Sequence, residues 1–123
     1  ALRFIDGFDH YSIPSQLLMK YTAINDSGGS SGITTMTGRR GGSTALLFRS
    51  SLDWISVTFD NQSTWIAGFA FYMFGNETSD LIRFGDADGN TQAYVAITSA
   101  GIVNLYRGTT LIASSKLQLS TNG

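Results

Sequence analysis

The sequence contains no cysteine, a single proline (Pro14), a single histidine (His10) and a single glutamate (Glu77). Without cysteine there are no disulfides, no thiol nucleophile and no thiolate zinc site. One histidine cannot form a histidine metal cluster within a chain, and no Ser-His-Asp arrangement is spelled out by spacing. His10 is expected to sit beside the first strand as a polar or packing residue. Charge is also scarce: only 14% of the residues are charged, against about 25% in an ordinary soluble domain. With eight Lys plus Arg against nine Asp plus Glu, the formal net charge is -1. No long-range field would draw nucleic acid or anionic lipid. The nearest thing to a basic patch is Arg39-Arg40 with Arg49, and a solvated turn accounts for it. No run of about 18 apolar residues exists, so no membrane span is expected. The start, "ALRFIDGFDHY", lacks the zones of a signal peptide.

What is present is glycine and short apolar runs. Fourteen glycines cluster between segments rich in Thr, Val, Ile, Phe, Tyr and Leu, the pattern of strands separated by turns. "RFIDGFDHY" is expected to form a short strand running into a turn at Asp6-Gly7. In "SQLLMKYTAI" the start suits one helical turn, capped by Ser15 or Ser12, and "KYTAI" an extended run. "NDSGGSSG", residues 25–32, has the composition of a mobile loop. "ITTM" leads into the turn "TGRRGGS", and "TALLF" and "SLDWISVTF" are expected as strands.

"STWIAGFAFYMF" is expected to be the strongest strand. Under period 2, Trp65, Ala67, Phe69, Phe71 and Met73 share one face and Ile66, Gly68, Ala70, Tyr72 and Phe74 the other. Neither face is solvent-like, which describes a central strand with both faces covered, or one face on the core and one at an interface. Its aromatics are expected in the core, with a sugar-stacking platform as the alternative. The last third alternates strand and turn: "LIRF", "GDADGN", "TQAYVAIT", "SAG", "IVNLYRG", "TTLIAS". That is a four-stranded meander, with Gly108 supplying a positive φ. No helix of ten or more residues shows 3.6 periodicity. The fold class is therefore all-β, with eight or nine strands, near the number of an antiparallel jelly-roll sandwich. "KLQLSTNG" stops on Asn122-Gly123, a turn signal with no strand after it, so the fold is expected to be incomplete at the C-terminus.

The segments "FIDGFDHY", "GRRGGSTAL", "WIAGFAFYMF", "IRFGDADGNTQAYVAIT", "GIVNLYRGTTLIASS" and "LQLSTNG", in this order, resemble the concanavalin A-like lectin/glucanase jelly roll, in the laminin-G-like form found in tailed-phage virion proteins. The resemblance spans nearly the whole chain. It implies one jelly-roll module over residues 1–123, the N-terminal part of a larger domain or chain. It also implies a virion setting, outside the cell. The family holds sugar binders, glycosidases and structural modules, and fold alone does not choose among them.

Glycosidase chemistry needs two carboxylates facing across a cleft. The Glu-x-Asp-x-x-Glu motif of the superfamily's glucanases is absent. Asp53, Asp60, Asp80, Asp86 and Asp88 all lie in or beside turns, where aspartate usually serves its own backbone. "DADGN" compares poorly with an EF-hand loop: Gly89 comes too soon after Asp88, and the twelfth residue from Asp86 is Ile97, which cannot ligate. No cofactor is expected, with calcium at Asp86, Asp88 and Asn90 as the alternative. The expected function is thus structural and non-catalytic: a capsid-decoration, fibre or tail-associated subunit held by other virion proteins and by copies of itself. The alternatives are a carbohydrate-binding module, with Trp54, Trp65 and Tyr94 as the aromatics to watch, and a fragment of a glycoside hydrolase.

Overall fold

A computed structural model describes residues 2–12, 14–73, 77–116 and 118–119. Eight strands and two short 3-10 helices make up the regular structure, and every strand pair is antiparallel. The all-β fold class is thereby established. The chain divides into two compact units, Ala1–Trp65 and Ile66–Gly123.

In the first unit a 3-10 helix, Pro14–Met19, leads to β1 (Ala23–Asn25), a second 3-10 turn (Gly29–Ser31), β2 (Thr34–Thr37), β3 (Thr44–Leu47) and β4 (Trp54–Ser56). β1 pairs with β4, and β2 with β3. The first helix starts as expected near Ser12, but by a different device. The Gln16 side chain reaches back and accepts from the Ser12 amide (2.7 Å) and hydroxyl (3.2 Å), occupying a donor that the first turn leaves unpaired. Leu17, fully buried, anchors this helix in a core with Tyr11, Tyr21 and Ile33. Phe4, Phe8, Ile24, Leu46, Ile55 and Val57 pack around them.

Two expectations fail in this unit. "RFIDGFDHY" forms no strand. Its backbone is instead turned on Asp6, whose carboxylate accepts from the Phe8 amide (2.9 Å) and the Tyr11 hydroxyl (2.7 Å). Phe8 adopts φ 64°, a conformation no strand residue has. The loop "NDSGGSSG" is not free either. Asp26 Oδ1 accepts from the amides of Gly28 (3.0 Å) and Ile33 (2.8 Å). The Ser27 amide and hydroxyl both donate to Asp53. Composition describes how such a loop is solvated. It does not register two aspartates that close it.

The second unit is the meander anticipated from the last third of the chain: β5 (Ser79–Gly85), β6 (Thr91–Ile97), β7 (Val103–Arg107) and β8 (Thr110–Ser114), in sequential order. Gly89, Gly101 and Gly108 hold positive φ at its three connections, the role glycine fills because it has no Cβ to clash. Register assigns the two faces. Ile82, Val95, Leu105 and Ala113 lie in one cross-strand row; Arg83, Tyr94, Tyr106 and Leu111 lie in another, on the opposite face. Ile97 is fully buried, and Asn104, also buried, accepts from the Ser114 hydroxyl at 2.7 Å.

The largest departure is "STWIAGFAFYMF". Its described residues, 63–73, belong to no strand. Alternation and bulk are right for a strand, but a strand also needs a neighbouring backbone to receive its amides and carbonyls. Among the described residues no β-ladder includes it. The turn expected at Asn122-Gly123 lies outside the described residues.

Candidate contact surface and binding face

The described residues contain no group of three or more His, Asp and Glu side chains able to hold a metal ion. Of the carboxylates weighed from the sequence, Asp53, Asp60, Asp80 and Asp86 each hold a partner within their own unit. Asp53 accepts from Ser27 and from the Ser50 amide (3.1 Å). Asp60 meets Arg3 at 2.8 Å in an exposed pair. Asp80 holds Arg83 through its Nε (2.8 Å) and Nη2. Glu77 is exposed.

Asp86 organises the turn between β5 and β6. Its Oδ1 accepts from the amides of Asp88 (3.0 Å) and Asn90 (2.8 Å); its Oδ2 accepts from the side-chain amides of Asn90 (3.3 Å) and Gln92 (2.8 Å). These bonds, led by the Asn90 amide, hold its carboxyl below the ordinary carboxylate range. Both oxygens of Asp86 therefore serve the bend. Asp88 contributes its backbone amide to the same turn.

One carboxylate is buried. The Asp6 side chain is only 2% exposed, with Lys20 Nζ 3.8 Å away. Burial raises its pKa, but bonds from Tyr11, the Phe8 amide and Tyr21, with the Lys20 charge, outweigh that and leave it lowered. Burial, then the hydrogen bond and charge of Asp6, push the Tyr11 hydroxyl up to about 12. The Tyr21 hydroxyl is raised as well, by burial and then by Asp6. This cluster lies inside the first unit's core and reads as an organiser of the N-terminal segment. Nothing in "FIDGFDHY" signals that Asp6 turns inward.

The sugar-stacking candidates are Trp54, Trp65 and Tyr94. Trp54 on β4 and Trp65 belong to the first unit, Tyr94 to the second. Trp54 and Trp65 are both exposed, and Trp65 also rests on Phe59, ring centroids 5.1 Å apart. Tyr94 stacks on Tyr106 at 4.6 Å with 7° between the rings. The Arg83 guanidinium lies 5.6 Å from the Tyr94 ring centre. Because β5 and β7 flank β6, arginine and tyrosine cover opposite faces of that ring. A sugar stacks on a free ring face, and Tyr94 has none left. Arg83, Tyr94 and Tyr106 form a closed ladder, with Arg83 further tied to Thr91 Oγ1 at 3.3 Å.

His10 packs against Tyr11, with ring centroids 4.1 Å apart, as a packing residue would. Arg39 and Arg40 are exposed in the β2–β3 turn, and Arg49 donates to the Ser30 carbonyl at 3.2 Å.

The exposed apolar surface is the remaining feature. Ile66 is 95% exposed, and Phe69, Phe71 and Tyr72 are exposed beside it. The rings of Phe69 and Phe71 touch at 5.9 Å, so these alternate residues form one patch. Residues 61–76 contain no charged side chain. Among the described residues no helix is long and apolar enough to cross a membrane. No protein-family model matches the chain, and neither curated proteins nor solved structures include a similar one.

Proposed function

We propose that this chain is a non-catalytic structural module that works through protein–protein contacts, as a capsid-decoration, fibre or tail-associated subunit of a phage particle. One observation carries the contact role: the uncharged apolar run through Ile66, Phe69 and Phe71 is exposed and has no strand partner. A large apolar side chain left in water forgoes about 1.5–3 kcal/mol of burial, and contiguous exposed patches mark interaction surfaces. The particle setting, and the jelly-roll plan of the whole, rest on the resemblance of the six segments quoted above. The test is incorporation. Ile66→Asp with Phe69→Asp in the full chain should leave the circular dichroism of the β-sheets unchanged and remove the chain from assembled particles. Undiminished incorporation would overturn the reading.

Exposed Trp54 favours a second reading, glycan attachment. Binding on a glycan array that Trp54→Ala abolishes and Tyr94→Phe leaves intact would establish it.

A further inference from the structure

The basic residues of the chain differ in what holds them and the backbone that follows. Arg3 is paired with Asp60, and Phe4 after it packs on Tyr21 and Phe59. Lys20 donates to the Ile5 carbonyl, and Tyr21 after it is buried. Arg49 donates to the Ser30 carbonyl, and Asp53 holds the amide of Ser50 after it at 3.1 Å. Arg83 and Arg107 are fixed in the ladders of the meander. Lys116 is exposed, but the amides of Ser115 and Leu119 pin its segment to the Val103 and Gly101 carbonyls. Arg39 and Arg40 are different. Both are exposed, and among the described residues no hydrogen bond, ion pair or ring contact engages either side chain. Their turn joins β2 and β3, four-residue strands that form a two-stranded sheet of their own, the least stable kind of sheet. A Cβ added at Gly41 or Gly42 would meet nothing within 4 Å, so the backbone is open to an enzyme.

We infer that this turn is a processing site for an arginine-specific protease, cut between Arg40 and Gly41, and that the two pieces stay joined in one fold. Hairpin tips are preferred sites of nicking, and such a protease reads arginine with a carboxylate at the base of its pocket. Water adds to the Arg40 carbonyl carbon and the bond to the Gly41 nitrogen breaks, leaving an Arg40 carboxylate and a Gly41 ammonium. Ser43 latches the site. The Arg40 carbonyl accepts from the Ser43 amide (3.0 Å) and hydroxyl (2.7 Å), and the Arg40 amide donates to Ser43 Oγ (3.1 Å). Cleavage proceeds from the opened turn, so this latch sets its rate. Bonds that cross the cut keep the pieces together. Asp9 accepts from the Thr44 amide (2.6 Å), Asn25 donates to the Leu52 carbonyl (2.6 Å) and the Thr22 amide to the Ser56 carbonyl (2.8 Å). The core of Tyr11, Leu17, Tyr21 and Ile33 packs against Leu46, Ile55 and Val57 from the other side.

Limited digestion of the full chain with trypsin, read by intact mass, provides the test. Pieces ending at Arg40 and beginning at Gly41 should appear first, about tenfold faster than any other cut. They should elute together from a sizing column, at the position of the uncut chain. Ser43→Ala should speed the cut about three- to tenfold, and Arg39→Gln with Arg40→Gln should abolish it, both with unchanged circular dichroism. A first cut after Arg107 or Lys116, or a Ser43→Ala variant cut no faster than wild type, would overturn the site. Pieces that separate without denaturant would overturn the joined form.

Discussion

Removing the Asp6 carboxylate should be among the most damaging single changes in the first unit. Asp6→Ala deprives the buried Tyr11 hydroxyl and the Phe8 amide of their acceptor. Hydrogen bonds to a charged group contribute about 1.5–3 kcal/mol each. The loss should therefore be about 3–6 kcal/mol, a large share of the 5–15 kcal/mol typical of a domain. Lys20 adds little, since it is partly exposed and 3.8 Å distant. Asp6→Asn keeps an acceptor and should cost about 1–2 kcal/mol. Both tryptophans, Trp54 and Trp65, lie in the first unit, so urea titration followed by tryptophan fluorescence reports this unit selectively. The pH dependence has a definite sign. The folded carboxyl titrates below its ordinary value of 3.8. Its contribution is complete above that value and disappears as the pH falls through the lowered pKa. Wild type should lose stability on that acid limb, and Asp6→Asn should show a flatter one. A cost below about 0.5 kcal/mol for Asp6→Ala, or identical acid limbs, would refute the reasoning.

Three further outcomes are expected. Tyr11, raised to about 12, stabilises the fold below the ordinary tyrosine pKa near 10 and loses that contribution as the pH climbs through 12; Tyr11→Phe should lose this alkaline dependence in the same fluorescence assay. Gly101→Ala should destabilise the meander by about 2–4 kcal/mol, because φ is +77° and an added Cβ would collide with the Leu119 carbonyl oxygen. Gly89→Ala, at φ +85° but in open space, should cost only about 1 kcal/mol, and amide hydrogen exchange of β6 and β7 would rank the two. Millimolar calcium should leave the Asp86, Asp88 and Asn90 amide resonances in place, since both Asp86 oxygens already accept within the turn. Saturable shifts there would restore the metal reading.

Local chemistry was legible where neighbours in sequence are also neighbours in space. The meander from Ser79 to Ser114 is of this kind: alternation marks each strand, glycine marks each turn, and β5 through β8 pair in order. The "DADGN" bend is legible for the same reason, because its bonds span at most six residues. The aromatics were less legible. Tyr94 is a stacking candidate by residue type alone, and its partners Arg83 and Tyr106 each lie on another strand.

Composition and periodicity by themselves determined that this protein is all-β, that cysteine chemistry is closed to it, and that its last third is a meander. Tertiary structure decided three other matters, each depending on a distant partner. Asp6 became a buried acceptor because the first unit's core closes over it. The loop at residues 25–32 acquired order because Asp53 bonds to Ser27 across 26 residues. The apolar run at 66–73 kept the alternation of a strand without becoming one. Period-2 hydrophobicity selects which side chains share a face, but a ladder also requires a second backbone beside it.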